Sequence, residues 1–391
     1  MPTRVVDVAV ANHSCALFDS GHVKCWGPND FGQLGLGMTE TIGDDELPAD
    51  LDFVALDGCA TAISVSARGH SCAALESGSV QCWGRNDYGE LGLGHTEAIG
   101  DDELPSDAEP LVFSSPAIAV TTGGASSCAL LASGDITCWG SNLCGRLGFA
   151  DAPEFLGDDE LVTGVLVEQK SRASALYSGA QMNCLTDEAQ MLTCWGATTH
   201  QLGHLPGEDP LAPYGCHPPI EATPHQIADP VVEVGIANAH ACALDIHGQL
   251  WCWGDNFAGE LGYGDEVVLI FPDAPVDVGV PISRVSAGGS TTCIVSEDHR
   301  VRCWGSGNHG KLGQASEDNL GKDEVPASIP FIEVGAEVEI VAPGIAHTCV
   351  VTTTGEVRCW GSGAAGRLGL GNEDNIGDDE LPSAVGPVPL L

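Results

Sequence analysis

The chain has 391 residues, with 55 Asp and Glu against 14 Lys and Arg, a formal charge of −41 and 43% hydrophobic residues. Such acidity leaves no basic footprint for nucleic-acid phosphates, and the apolar fraction suffices for a packed core. No apolar run approaches the ~18 residues of a membrane span, so neither nucleic acid nor membrane insertion is expected, and any charged partner should carry a basic surface or be a cation.

The opening, MPTRVVDVAVANHSC, holds Asp7 within its apolar stretch and has no small-residue cleavage site, so it does not read as a secretory signal. Val5 to Val10 alternates weakly and reads as a strand. Cys15 to Phe18 and His22 to Trp26 are short apolar-rich runs around Asp19-Ser20-Gly21, a connection of hairpin type. An extended segment such as Leu51 to Leu56, ahead of the second unit, would complete four strands. Cys-Trp-Gly then recurs, beginning at Cys25, Cys82, Cys138, Cys194, Cys252, Cys303 and Cys359, with spacings of 57, 56, 56, 58, 51 and 56. Seven units of this length occupy the whole sequence and leave no room for a separate catalytic domain.

Four short strands per unit, with no helical period, form a sheet that cannot bury both faces alone; radial stacking of seven buries them. The expected fold is all-β, a single seven-bladed β-propeller domain over residues 1–391 with one blade per repeat. Its repeat hairpins are 15–25, 72–82, 128–138, 184–194, 242–252, 293–303 and 349–359. Trp26, Trp83, Trp139, Trp195, Trp253, Trp304 and Trp360 should pack between blades.

Residues 11–37, ANHSCALFDSGHVKCWGPNDFGQLGLG, and 68–94, RGHSCAALESGSVQCWGRNDYGELGLG, carry the fullest form of the repeat. It resembles the repeats of the regulator of chromosome condensation family, in the manner of a bacterial-type member. The resemblance implies four-stranded blades and a ring closed by pairing strands from the two chain ends. Val385 to Leu391 would supply the strand ahead of Val5 to Val10, which makes the termini neighbours. On activity the family diverges: its nuclear founder is a guanine-nucleotide exchange factor that binds chromatin, a secreted bacterial relative inhibits β-lactamases, and a plant relative senses ultraviolet light through extra tryptophans. A chromatin role suits a basic surface, and Trp251 is the one tryptophan here outside Cys-Trp-Gly.

A second cysteine stands ten residues before each Cys-Trp-Gly, giving the pairs Cys15 with Cys25, Cys72 with Cys82, Cys128 with Cys138, Cys184 with Cys194, Cys242 with Cys252, Cys293 with Cys303 and Cys349 with Cys359. Opposed hairpin positions lie about 4.5 or 5.5 Å apart at Cα, within disulfide reach. Each bridge would close a short loop worth ~2.7 kcal/mol in the chain-entropy view. Reduced, buried pairs are the alternative; bridges favour an oxidising compartment, hence an extracellular, periplasmic or cell-surface location. The spacing is not that of a zinc finger or ribbon, and His13, His70, His240 and His347, two residues before the first Cys, are expected to be hydrogen-bonded at strand starts. The total of 17 cysteines is odd and leaves Cys59, Cys144 and Cys216; Cys144 and Cys216, in adjacent units, are a further candidate pair.

Gly-Asp-Asp-Glu-Leu recurs and places Asp44, Asp45, Glu46, Asp101, Asp102, Glu103, Asp158, Asp159, Glu160, Asp378, Asp379 and Glu380 on one equivalent ring, with Gly-Lys-Asp-Glu-Val at 321–325. These carboxylates either cap turns between blades or offer oxygen ligands to Ca²⁺. Symmetry breaks at the proline-rich stretch Pro206 to Pro230 with Tyr214, at the apolar run ending in Phe271-Pro272, and in the turns after Cys-Trp-Gly, which offer Phe31, Tyr88, Phe257 and His309 as rim anchors for a partner.

No nucleophile elbow, phosphate loop or metal-ligand motif stands out, and the recurring Cys, His and Asp are distributed among blades rather than concentrated. The expectation is a non-enzymatic, exported, monomeric propeller without a cofactor that binds a basic protein through one loop face. The alternatives are a Ca²⁺-dependent structural or surface protein and, by family resemblance, a guanine-nucleotide exchange factor.

Overall fold

Within the first unit Val5–Val10 buries Val5 and Val8 only, whereas Ser14–Phe18 and Val23–Trp26 are buried along their whole length. Strands buried on both faces belong to sheets packed between other sheets, which is the environment each blade finds here. The computed structural model describes residues 3–149, 153–162, 164–197, 216–217, 227, 229–269 and 272–391. Seven antiparallel sheets follow one another in chain order. Their inner strands are Val5–Val10, Ala60–Val65, Ala117–Thr122, Ala173–Ser178, Val231–Ile236, Ile282–Gly288 and Val338–Pro343. Each inner strand lies beside the next, and the last lies beside the first, so the blades surround a central channel.

The register opposes each cysteine pair across the middle and outer strands, as in Cys15 with Cys25 and Cys349 with Cys359. All seven pairs are joined as disulfides with Cα separations of 4.0–4.1 Å. The hairpin turn between them also meets the next blade: a Cβ on Gly21, whose φ is +77°, would stand 2.5 Å from Cys59 Cβ. Cys59 is exposed and unpaired, and the side chains of Cys144 and Cys216 lie outside the described structure.

Two sequence expectations are corrected. Blades three and four have a fourth strand, Phe155–Leu156 and Cys216–His217, but the other five sheets have three. Leu51 to Leu56 forms no strand; it touches the outer strand of the preceding blade through Val54 N–H donating to Val23 O, 2.9 Å. The reason is local: Pro48, Pro105, Pro326 and Pro382 each start a 3₁₀ turn in this connection, and a proline-led turn leaves too few residues for a ladder. The C-terminal segment likewise does not join Val5–Val10. Val388 N–H donates to Val357 O, 2.8 Å, within its own blade, and blades one and seven remain separate sheets. The chain ends are nonetheless neighbours, because Val5 N–H reaches Gly355 O and Ala49 N–H reaches Pro389 O, each 3.0 Å.

What joins blade to blade is a repeated clasp. Trp83, on blade two, donates its indole N–H to the Gln33 carbonyl of blade one at 2.9 Å, and Ser71 Oγ donates to the same oxygen at 2.9 Å. Glu90 receives Trp139 and Ser127, Arg146 receives Trp195 and Asn183, Glu260 receives Trp304 and Thr292, and Lys311 receives Trp360 and Thr348. Trp26 closes the circle on the Arg367 carbonyl at 3.0 Å. Every Cys-Trp-Gly tryptophan is essentially buried, as their placement between blades requires.

The four histidines complete the clasp. His13 Nε2 lies 2.7 Å from Ser71 Oγ, His70 3.0 Å from Ser127, and His240 2.8 Å from Thr292. Each of these hydroxyls has one proton and gives it to a carbonyl, which can only accept, so the imidazole must donate and is the Nε2–H tautomer. His347 makes the corresponding contact with Ser14 across the junction of blades seven and one, 2.7 Å. Burial pushes the pKa of all four down to about 3. An unfolded chain takes up these protons near pH ~6.5, so their contribution to stability is complete above that value and is lost as pH falls toward 3.

Alkylation of the denatured, unreduced protein followed by intact-mass measurement tests the cysteine lattice. We expect no more than three labelled thiols among the 17 cysteines. Labelling of nearly all in a sample never exposed to reductant would make the pairs thiols.

Candidate functional site

The loops after Cys-Trp-Gly and those joining inner to middle strands share one face, where Asn-x-x-Gly-Gln/Glu-Leu-Gly folds a tight self-bonded loop. Asn29 Oδ1 accepts Leu34 N–H at 3.0 Å while its amide donates to Met38 O at 2.7 Å. Gln33 and Glu90 accept the N–H of Phe31 and Tyr88, at 2.9 and 2.7 Å. The loop is therefore a rigid support for the residues at its tip.

The rim aromatics expected from sequence separate into two kinds. Phe31 and Tyr88 are half-covered: the Arg85 guanidinium of the next blade lies 4.6 Å from the Phe31 ring centroid, and Arg68, from the same blade as Tyr88, lies 5.2 Å from that of Tyr88. Phe257 sits one position earlier in its loop and stands 66% exposed. His309, also exposed, has φ +60° and is anchored by its N–H to Glu317 at 3.0 Å. Tyr214 and Phe271 lie outside the described residues, as does most of Pro206 to Pro230.

The acidic turns are joints between blades. Gly37 N–H donates to Gly100 O, Gly94 N–H to Gly157 O and Gly371 N–H to Gly43 O, all at 3.0 Å, so each Gly-Asp-Asp-Glu turn docks on the loop of the preceding blade. A Cβ on Gly32 would come within 2.3 Å of Asp101 N, which leaves only glycine for this approach. Glu46 accepts Gly43 N–H at 3.1 Å within its turn. The carboxylates of Asp44-Asp45-Glu46, Asp101-Asp102-Glu103, Asp158-Asp159-Glu160 and Asp378-Asp379-Glu380 each converge within 4.8 Å. Burial, the Asp102 hydrogen bond and the Asp101 charge together push Glu103 up to about 7. In the fifth turn Lys322 breaks the pattern and pairs with Glu266.

The central channel is narrow, about 100 Å³, and lined by small and apolar residues from all seven blades, including Val10, Val65, Ser178, Ile236 and Pro343. Its described lining contains no acid, base or thiol. At its mouth on the loop face a larger cavity of about 540 Å³ opens over blades two to five. Tyr88 and Phe155 stack along it, centroids 5.2 Å apart and planes 16° off parallel. Arg68, Leu143, Arg146, Glu154 and Asn238 complete the wall. Sequence reading found Tyr88 but missed the rest. The available signal was departure from the repeat: Phe155 stands where other units carry Thr41, Ala98, Asn319 and Asn375, and Arg68 where they carry Ala11, Gly124, Ala180, Asn238, Gly289 and Ile345.

Comparison with known proteins agrees with this architecture. Models of the regulator of chromosome condensation (RCC1) repeat match residues 8–33, 60–90, 117–146, 231–260, 282–311 and 338–367, and in a second form 77–130 and 247–295. Together these matches cover more than half of the chain, which belongs to the RCC1-repeat family. It is 29% identical over 368 residues to the mitochondrial RCC1 domain-containing protein RUG3 of Arabidopsis thaliana, covering 88% of this chain and 78% of that one. It is 25% identical to the mouse secretion-regulating guanine nucleotide exchange factor, covering 97% of this chain and 83% of the relative. The fold matches Prp20p of Saccharomyces cerevisiae, solved in a study of its binding to Gsp1p and histones, with a TM-score of 0.72, 21% identity and coverage of 97% and 87%. These relatives are plant, mammalian and fungal; none is a bacterial-type member.

Proposed function

We propose that this chain is an exported, bacterial-type, monomeric RCC1-repeat propeller that performs no catalysis and binds a protein with a basic surface through its loop face. The observation that carries the reading is Phe257, a large apolar side chain held 66% exposed on a self-bonded loop, in a chain of net charge −41. An exposed aromatic anchor within an acidic field suits a partner that offers an apolar pocket rimmed by Lys and Arg. The seven bridged hairpins support export, since such bridges persist in oxidising compartments.

Affinity capture with immobilised wild type and the Phe257→Ala variant, at low and high salt, tests this. We expect a small set of basic proteins whose binding weakens about tenfold or more in the variant, the size of effect typical of an interface anchor, and weakens further with salt. Equal capture by both proteins would exclude the loop face. A small GTPase belongs among the defined candidates, because one relative is a guanine nucleotide exchange factor; accelerated nucleotide release would identify that partner class.

A second reading rests on the four Asp-Asp-Glu turns, whose crowded carboxylates have the oxygen chemistry Ca²⁺ requires. If they bind it, millimolar calcium raises the thermal midpoint by mass action. An unchanged midpoint would leave the turns as inter-blade joints alone.

A further inference from the structure

We propose that the rim loop of blade six, residues 307–319, is a two-state switch: its tip at His309 is held in the left-handed conformation by the Glu317 carboxylate and relaxes when an arginine side chain of a partner takes that carboxylate. The proposal rests on the reading of the loop face as the binding face for a basic protein, and adds a contact that moves to the fixed one at Phe257. Two designs of rim loop recur in the chain. In blades one, two and five the loop bonds to itself: Asn29, Asn86 and Asn256 accept the N–H of Leu34, Leu91 and Leu261 at 3.0 Å. The side chains of Gln33, Glu90 and Glu260 accept the tip N–H of Phe31, Tyr88 and Ala258 at 2.7–2.9 Å, and these three tips lie at negative φ.

Blade six has neither anchor. Gly307 stands where Asn29 stands, and Lys311 where Gln33 stands; glycine has no side-chain acceptor, and the ammonium can only donate, which it does to Ile345 O at 3.2 Å. The loop is fastened instead to the connection that follows it: His309 N–H donates to Glu317 Oε1 and Gly307 N–H to Asn319 Oδ1, each at 3.0 Å. In this arrangement His309 lies at φ +60°. Ala315, at φ +52°, takes a second left-handed position, which Gly37, Gly94, Gly264 and Gly371 fill in other blades. Residues with a Cβ disfavour that region and glycine does not, so the loop is held against its local preference at two points. Blade seven repeats the design with less strain: Ala365, at φ +54°, donates to Glu373 at 2.7 Å and Gly363 to Asn375 at 3.2 Å, while glycine is kept at 371. The two designs also differ in access. Gln33, Glu90 and Glu260 are buried, whereas Glu317 is exposed beside Asp318. A guanidinium can engage both oxygens of a carboxylate at once, and a chain of net charge −41 draws such a group in. A partner arginine on Glu317 therefore competes for the bond that offsets the left-handed backbone, and its preference for the freed carboxylate shifts the loop population.

NMR of the full chain, labelled with nitrogen-15 in histidine, reads the tip directly, because at positive φ a residue's own Hα lies close to its amide proton and gives a strong cross-peak. His309 should show that cross-peak in the free protein and lose most of its intensity in Glu317→Ala. Glu317→Gln, which keeps an acceptor without the charge, should retain it. With N-acetyl-triarginine amide as probe, millimolar peptide should weaken the cross-peak in the wild type and leave it unchanged in Glu317→Gln, and sodium chloride of equal ionic strength should leave it unchanged in both. The indole signal of Trp360, bonded to the Lys311 carbonyl at 3.0 Å, reports that the blade joint is intact in each variant. Phe257→Ala should respond to the peptide as wild type, so failure of the switch and failure of the Phe257 contact are told apart. A right-handed His309 in the free protein, a left-handed one in folded Glu317→Ala, a cross-peak unchanged by millimolar triarginine, or equal loss in salt alone would overturn the proposal.

Discussion

A single carbonyl oxygen in each of the six described post-Cys-Trp-Gly loops governs the assembly. The Gln33 carbonyl accepts the Trp83 indole and the Ser71 hydroxyl of the next blade, and that hydroxyl in turn accepts His13 from the blade behind. Both lone pairs of the oxygen are used, so removing either donor leaves a buried acceptor short of a partner, at a cost of about 1–3 kcal/mol. Because the bond donors come from the next blade, their geometry holds only if the neighbouring sheets are in place. The same loop that offers the carbonyl displays the rim residues outward, so blade packing and the shape of the binding face share one scaffold.

Much of this was legible in the sequence because it repeats. The cysteine spacing placed Cys15 opposite Cys25, and the recurring tryptophans marked the inter-blade layer. The acidic turns read from sequence as either caps or ligands, and the docking of Gly100 and Asp101 on the Gly32 loop shows the structural role. What repetition could not convey was connectivity between repeats: Leu51 to Leu56 and Val385 to Leu391 look extended, but each hydrogen-bonds to the outer strand of the blade before it. Nor does a repeat announce a cavity. Arg68 comes from blade two and Arg146 and Phe155 from blade three, and they share one cavity only because neighbouring blades converge at the channel mouth.

Charge has two distinct jobs in this molecule. The Asp-Asp-Glu turns concentrate negative charge at the joints, where Glu103 is driven up to about 7 by burial and its acidic neighbours. Buried histidines do the reverse and stay neutral, since protonation would place a second N–H, on the Nδ1 atoms of His13, His70 and His347 that lack partners, in a dry interface. Family membership accounts for the scaffold and not for these local choices, which is why the proposed partner contacts are argued from departures from the repeat.

The most direct test of the clasp is nitrogen-15 NMR of the histidine side chains as a function of pH. His13, His70 and His240 should appear as the Nε2–H tautomer, and these three together with His347 should remain neutral as the pH falls well below 6.5, toward the value of about 3 that burial imposes. Titration of the four near the ordinary histidine value, or protons on Nδ1 of His13, His70 or His240, would contradict the hydrogen-bonded joint on which this account of the fold rests.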